Sequence, residues 1–166
     1  MANRIHKIST TDLPTDGSSL SVTLDGTNNY YFILRNVAAA STGTLEMRLN
    51  VGGSPVTNST YDSYMRVGTN STTFVDEHNT DESSVKLQYN ALNTNSDNNF
   101  WGMIFAANEA DATYFFVKGA GTQGSTLYNT LVGARLQEDS VVNGFQILTS
   151  GATNFGQGKL IVYGMA

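Results

Sequence analysis

The stretch Thr113–Asn129 sets Gly119, Gly121 and Gly124 in the spacing G-x-G-x-x-G, directly after a run of β-branched and aromatic residues. Between a strand and a helix, that spacing lets a backbone approach a pyrophosphate, which is the chemistry of dinucleotide binding. The fingerprint also needs parallel strands alternating with helices and an acidic residue about 20 positions further on. Here the flanking runs look antiparallel, and Glu138 and Asp139 come too early. The glycines are read as a turn between two strands, and no cofactor is expected.

Two other stretches concentrate oxygen ligands. Val75–Glu82 holds Asp76, Glu77, His78, Asp81 and Glu82. Calcium takes several oxygens around a sharp glycine turn, and no glycine lies inside this run, so it reads as a solvated acidic loop. Asn93, Asn95 and Asp97 alternate as in the first half of an EF-hand loop, but Asn98 stands where the glycine belongs. Met103 and Ile104 stand where the closing glutamate should fall, so no metal site is expected there either.

Nucleophilic catalysis has little to work with. His6 and His78 are the only histidines, there is no cysteine, and no G-x-S-x-G elbow occurs. Carboxylate-only catalysis leaves no short motif and stays formally open, against a low acid content. No catalytic residue is assigned, and the chain is read as a non-enzyme. Trp101 has the chemistry to stack on a sugar, as do Tyr61 and Tyr64, although a lone Trp in an alternating strand more often belongs to a core. Asn58-Ser-Thr and Asn70-Ser-Thr match glycosylation acceptors, which mean something only in a eukaryotic secretory setting.

The elements that would carry these residues are short runs of period two. In Ser19–Leu24, Leu20, Val22 and Leu24 share one face; in Thr44–Val51, Leu45, Met47, Leu49 and Val51 oppose Glu46, Arg48 and Asn50. Such alternation predicts half-buried strands. Further strands are expected at RIHKI, YYFILRNV, YMRV, SVKLQY, FWGMIFA, TYFFVK, FQILT and KLIVYG, with Gly, Asn, Asp and Ser in the turns between. Only Leu127–Asp139 could pass for a helix, and Gly133 weakens that reading. Strands recurring every 8 to 12 residues or so predict an all-β sandwich or barrel.

Composition narrows the partners. The 166 residues carry a net charge of -5 and only 14% charged side chains, with no basic run along the chain. A phosphate-gripping protein needs Lys and Arg gathered on one face, so nucleic acid is not expected. The first residues lack the apolar region of a secretion signal, and no stretch approaches the roughly 20 apolar residues of a membrane helix.

In order, VTLDGTNNYYFILRNV, GTLEMRLNVGG, YDSY, GMIFAANEADATYFFVKGAG and NGFQILTSGATNFGQGKLIVYGMA resemble tailed-bacteriophage virion proteins. These are jelly-roll or lectin-like β-sandwiches that serve as capsid-decorating proteins and tail-fibre tips. The resemblance runs from about Leu20 to Ala166 and is most specific where Ser-Gly, Asn-Phe and Gly precede the closing strand. It implies a single jelly-roll-like domain over 1–166, with 1–18 available as an N-terminal arm, and no cofactor, metal or catalytic residue. It also implies a homotrimer on the outer surface of a capsid or tail, held by the major capsid protein or another virion protein. Decoration of a capsid or a short head fibre is favoured, because few residues precede the first long strand. The alternative is a carbohydrate-binding receptor-recognition module of a tail fibre that uses Tyr61, Tyr64 or Trp101.

The closing strand adds one expectation from its own pattern. Leu160 and Val162 should face one way, Ile161 and Tyr163 the other, so both faces are apolar and both should be covered. Ile161 and Tyr163 are therefore the expected subunit or capsid contact.

Overall fold

Alternation places every second side chain of a strand on the same face, and one face of nearly every strand here is apolar enough to need burial. The computed structural model describes residues 4–70, 74–89, 91–94, 97–107, 112–123, 125–138 and 140–165. In chain order its strands are β1 (Ile5–Asp12), β2 (Ser19–Thr23), β3 (Asn29–Ala39), β4 (Leu45–Val51), β5 (Ser54–Pro55), β6 (Tyr61–Thr69) and β7 (Phe74–Glu82). They continue as β8 (Val85–Lys86), β9 (Asp97–Phe105), β10 (Thr113–Gln123), β11 (Thr126–Leu136), β12 (Val142–Thr149) and β13 (Phe155–Met165). A single 3-10 turn at Ser150–Ala152 is the one helical element among the described residues.

The protein is an all-β antiparallel sandwich. Eight strands form one sheet in the order β1-β13-β3-β9-β10-β11-β6-β7, and the facing sheet runs β2-β12-β4-β5 with β8 also on β4. The larger sheet extends a jelly-roll layer by the β9–β10–β11 meander and the β6–β7 hairpin. Both sheets feed one core, in which Phe32 of β3 meets Phe145 of β12 with ring centroids 5.5 Å apart.

Some segments follow the sequence reading and others depart from it. The doubt about a helix from Leu127 is borne out: residues 127–136 lie in strand β11, where Thr130, Val132, Ala134 and Leu136 alternate inward against outward Leu131 and Arg135. The first strand expected at RIHKI is present and longer: residues 5–12 are the edge strand β1, hydrogen-bonded along β13. Residues 75–82 are strand as well: β7 closes the opposite edge, where its charges suit a strand that must not pair further. Asp97, Asn98 and Asn99 of the supposed loop open β9, while Asn95 lies outside the described residues.

Gly119 and Gly121 form no turn. Gly119 and Gly121 lie inside β10, opposite Phe100 and Asn98 of β9, while Gly124 lies outside the described residues. A Cβ on Gly119 would stand 2.0 Å from the Phe100 ring, and one on Gly121 would stand 1.7 Å from Oδ1 of Asn98. The spacing that resembles a phosphate loop records instead where β10 must leave room for its neighbours' inward side chains. Asn98 is buried and donates from Nδ2 to the Val37 carbonyl at 3.3 Å, where β3 is bulged.

Tyr61 closes a gap in the smaller sheet. β5 and β8 pair with only the two ends of the outer edge of β4, and between them the Leu49 N–H donates to the Tyr61 hydroxyl at 2.8 Å. Burial pushes the Tyr61 phenol up to about 12, the Leu49 hydrogen bond pulling weakly the other way. Replacing Tyr61 by Phe leaves a buried donor unpaired, so urea melts should show a loss of about 1–3 kcal/mol. The unfolded chain sheds this proton near pH 10 and the folded one only near 12, so wild-type stability should fall with pH across that window. The Phe variant should fall less steeply over the same range.

Candidate functional site

Residues that turn away from the core in the eight-stranded sheet make an outer face that no layer covers among the described residues. Cross-strand register aligns Tyr163, Tyr31, Met103 and Phe116 in one row and Ile161, Ile33 and Trp101 in the next. The aromatic rings form a ladder, with centroid separations of 6.1 Å for Tyr163–Tyr31, 6.2 Å for Tyr31–Trp101 and 5.7 Å for Trp101–Phe116. These separations suit tilted aromatic pairs. Eight strands at about 4.8 Å make a face roughly 34 Å wide. Trp101 is 38% exposed, Tyr64 43% and Tyr114 51%, so the ladder continues into open aromatic surface.

Beyond Phe116 the row reaches Gly133 of β11 and then Tyr64 of β6. Around Gly133 a hollow of about 470 Å³ opens, walled by Tyr64, Phe105, Tyr114 and Phe116, with Arg135 at its polar end. Other glycines of this sheet are covered by aromatic rings, as Gly102 is by Phe32 and Gly119 by Phe100, but a Cβ on Gly133 would meet nothing within 4 Å. The hollow exists because this position lacks a side chain.

Charge is unevenly placed. Lys7, Arg35, Arg66, Lys118, Arg135 and Lys159 all fall on the outer face by register, against Asp12, Asp62, Asp76 and Asp97. Three of these carboxylates are engaged: Arg135 donates to Asp62 at 2.7 Å, Lys159 lies 3.3 Å from Asp12, and Arg66 lies 3.4 Å from Asp76. The Arg135 guanidinium holds the Asp62 carboxyl below its ordinary value. Tyr64 donates to Asp76 at 2.8 Å, and that bond raises its phenol. A chain whose net charge is -5 therefore presents a face on which cations outnumber carboxylates.

The structure sorts the sequence candidates. Leu160 and Val162 are fully buried, while Ile161 and Tyr163 face outward and are half-buried, as the pattern of the closing strand required. Trp101 and Tyr64 share the open face, three strands apart and two residues out of register, a separation of about 16 Å. Tyr61 is fully buried and cannot touch a glycan, since its ring lies on the inward face of β6 and its hydroxyl is spent on β4. His6 and His78 stand on opposite edge strands. His6 Nε2 lies 2.5 Å from Oδ2 of Asp25, whose carboxyl burial pulls up but whose bonds from His6 and the Thr27 N–H bring it below its ordinary value. Among the described residues no three His, Cys, Asp or Glu side chains cluster as a metal site.

Two features were missed. Reading along the chain found no gathering of Lys and Arg, yet pairing of distant strands gathers six on one face. In sequence, Gly133 signals only a position unfavourable to a helix. The apolar outward parity of YYFIL, FWGMIF and TYFFVK was the available signal, and it was noticed only in KLIVYG.

No family model matches the chain, and no curated protein does. Similar solved structures include the CBM2 module of the evolved Dit protein of Lactobacillus casei BL23 phage J-1, at 16% identity over 89% of this chain and 69% of that one, with a TM-score of 0.30. The E230A fructofuranosidase of Schwanniomyces occidentalis in complex with fructosylnystose matches at 12% identity over 98% of this chain and 33% of that one, with a TM-score of 0.34. Infectious bursal disease virus, Gx strain, matches at 7% identity over 97% and 39%, with a TM-score of 0.17. At these scores the assignment to the antiparallel sandwiches rests on the sheet topology itself.

Proposed function

We propose that the chain is a non-enzymatic structural protein of a phage virion, a capsid-decorating or short head-fibre protein that works as a homotrimer. The observation that carries this reading is the uncovered aromatic ladder from Tyr163 through Tyr31 and Trp101 to Phe116. A contiguous apolar face of this breadth marks a surface that meets another protein. The resemblance of the segment order to tailed-phage virion proteins supplies the setting. Proposed partners are further copies of this chain and the major capsid protein or another virion protein; neither a membrane nor a nucleic acid is proposed.

The contact is placed at the β13–β3–β9 end, where Ile161 and Tyr163 lie. Ile161→Asp sets a charge on the outer face without touching the core, so the variant should stay soluble and keep its melting temperature within a few degrees. It should lose its oligomeric state in light scattering and its binding to particles in co-sedimentation. Retention of both would remove the proposed contact.

A second reading, a carbohydrate-binding receptor-recognition module, is favoured by one observation: Trp101 and Tyr64 are both open on this face. Glycan binding without particle affinity distinguishes it.

A further inference from the structure

On the β10–β11–β6 half of the outer face, away from Ile161 and Tyr163, two hollows adjoin along β11. The first is the Gly133 trough. The second, of about 360 Å³, lies over Leu131 and is flanked by Arg66, Phe74 and Lys118. Leu131 and Gly133 are next neighbours on the same face of β11, about 7 Å apart. Arg66 lies over the Phe74 ring at 5.5 Å, and Lys118 has no carboxylate within ion-pair distance among the described residues.

We propose that these two hollows form one site for an acidic polysaccharide. A pyranose ring presents an apolar patch of C–H groups on its face and hydroxyls around its rim. The flat walls of Tyr64, Tyr114 and Phe116 match the first, and the Arg135–Asp62 pair at the end of the trough offers donors and an acceptor to the second. Lys118 and Arg66 stand one residue pair further along the path, where the next sugar's carboxylate would fall. Charge complementarity selects the occupant: in a molecule of net charge -5 this half of the face carries Arg66, Lys118 and Arg135 against Asp62 and Asp76, and Lys118 is the cation left for an anionic ligand. The depression at Gly133 is shallow and open, of a size that a sugar ring can lie across against the surrounding aromatic side chains. The proposal names the ligand class for the glycan reading of this face and does not depend on the virion reading.

Calorimetric titration of the full chain with a polyuronate hexamer tests it, with maltohexaose and a short single-stranded DNA of matching charge as comparators. Saturable binding of the polyuronate alone is expected. Gly133→Phe fills the trough at a position with open space around it, so its melting temperature should hold while affinity falls at least about tenfold, a loss read directly from Kd. Lys118→Glu should weaken binding severalfold, and Ile161→Asp should leave it intact. Absence of saturable binding overturns the proposal, as does maltohexaose or DNA binding as tightly as polyuronate. Wild-type affinity in a Gly133→Phe protein with unchanged melting also overturns it. Any of these leaves the assembly test at Ile161 standing on its own result.

Discussion

Removal of Lys159 to Ala166 is expected to yield insoluble protein rather than a trimmed fold. β13 is an interior strand of the larger sheet, with β1 hydrogen-bonded on one side and β3 on the other from Asn29 to Arg35. Truncation strands the whole of β1 and opens the backbone edge of β3, a ready template for pairing with other chains. It also removes Leu160 and Val162, both fully buried. Emptying one buried aliphatic site costs about 2–5 kcal/mol, and a domain has only about 5–15 kcal/mol in total. The check is the soluble fraction after expression and after refolding from urea. A soluble truncated monomer with a strand-type circular dichroism spectrum would contradict the placement of β13 inside the sheet.

Gly119→Ala should destabilise the protein by about 3 kcal/mol, the upper end for overpacking a filled site, or roughly 10 °C in Tm. One methyl group has nowhere to go: it would stand 2.0 Å from the ring of Phe100, its direct partner on β9. Phe100 is itself buried, so its ring cannot swing into solvent. Phe100→Ala alone should also be costly, at about 3–5 kcal/mol, because it leaves a cavity. Together the two changes should cost clearly less than their sum, since each relieves the fault of the other. Urea melts of wild type, the two single variants and the double variant measure that coupling. Strict additivity would show that ring contact is not why a glycine stands at 119. The same series separates a packing role from a ligand-binding role, because a phosphate loop would lose affinity and keep its stability.

The inward parity of β4 follows from local chemistry, since Leu45, Met47 and Leu49 alternate with Glu46, Arg48 and Asn50 and only one face suits a core, whereas β13 is apolar on both faces and its pattern fixes only which residues pair on a face. That is why the opposed pairs Leu160/Val162 and Ile161/Tyr163 could be read directly from KLIVYG. Charge-rich β7 carries no such apolar parity, and it becomes a strand only because β6 offers it an edge. The glycines of β10 likewise depend on side chains at 98 and 100, which sequence order does not place beside them. The basic face and the Gly133 trough are further still from the linear chain. Arg135 finds Asp62 across 73 positions, and Tyr31 meets Tyr163 and Trp101 only after β3 has taken its place between β13 and β9. A period of two determines which side of a strand is apolar. Which strands lie side by side, and hence which outward residues share a surface, is decided by long-range pairing and by the core that the two sheets close together.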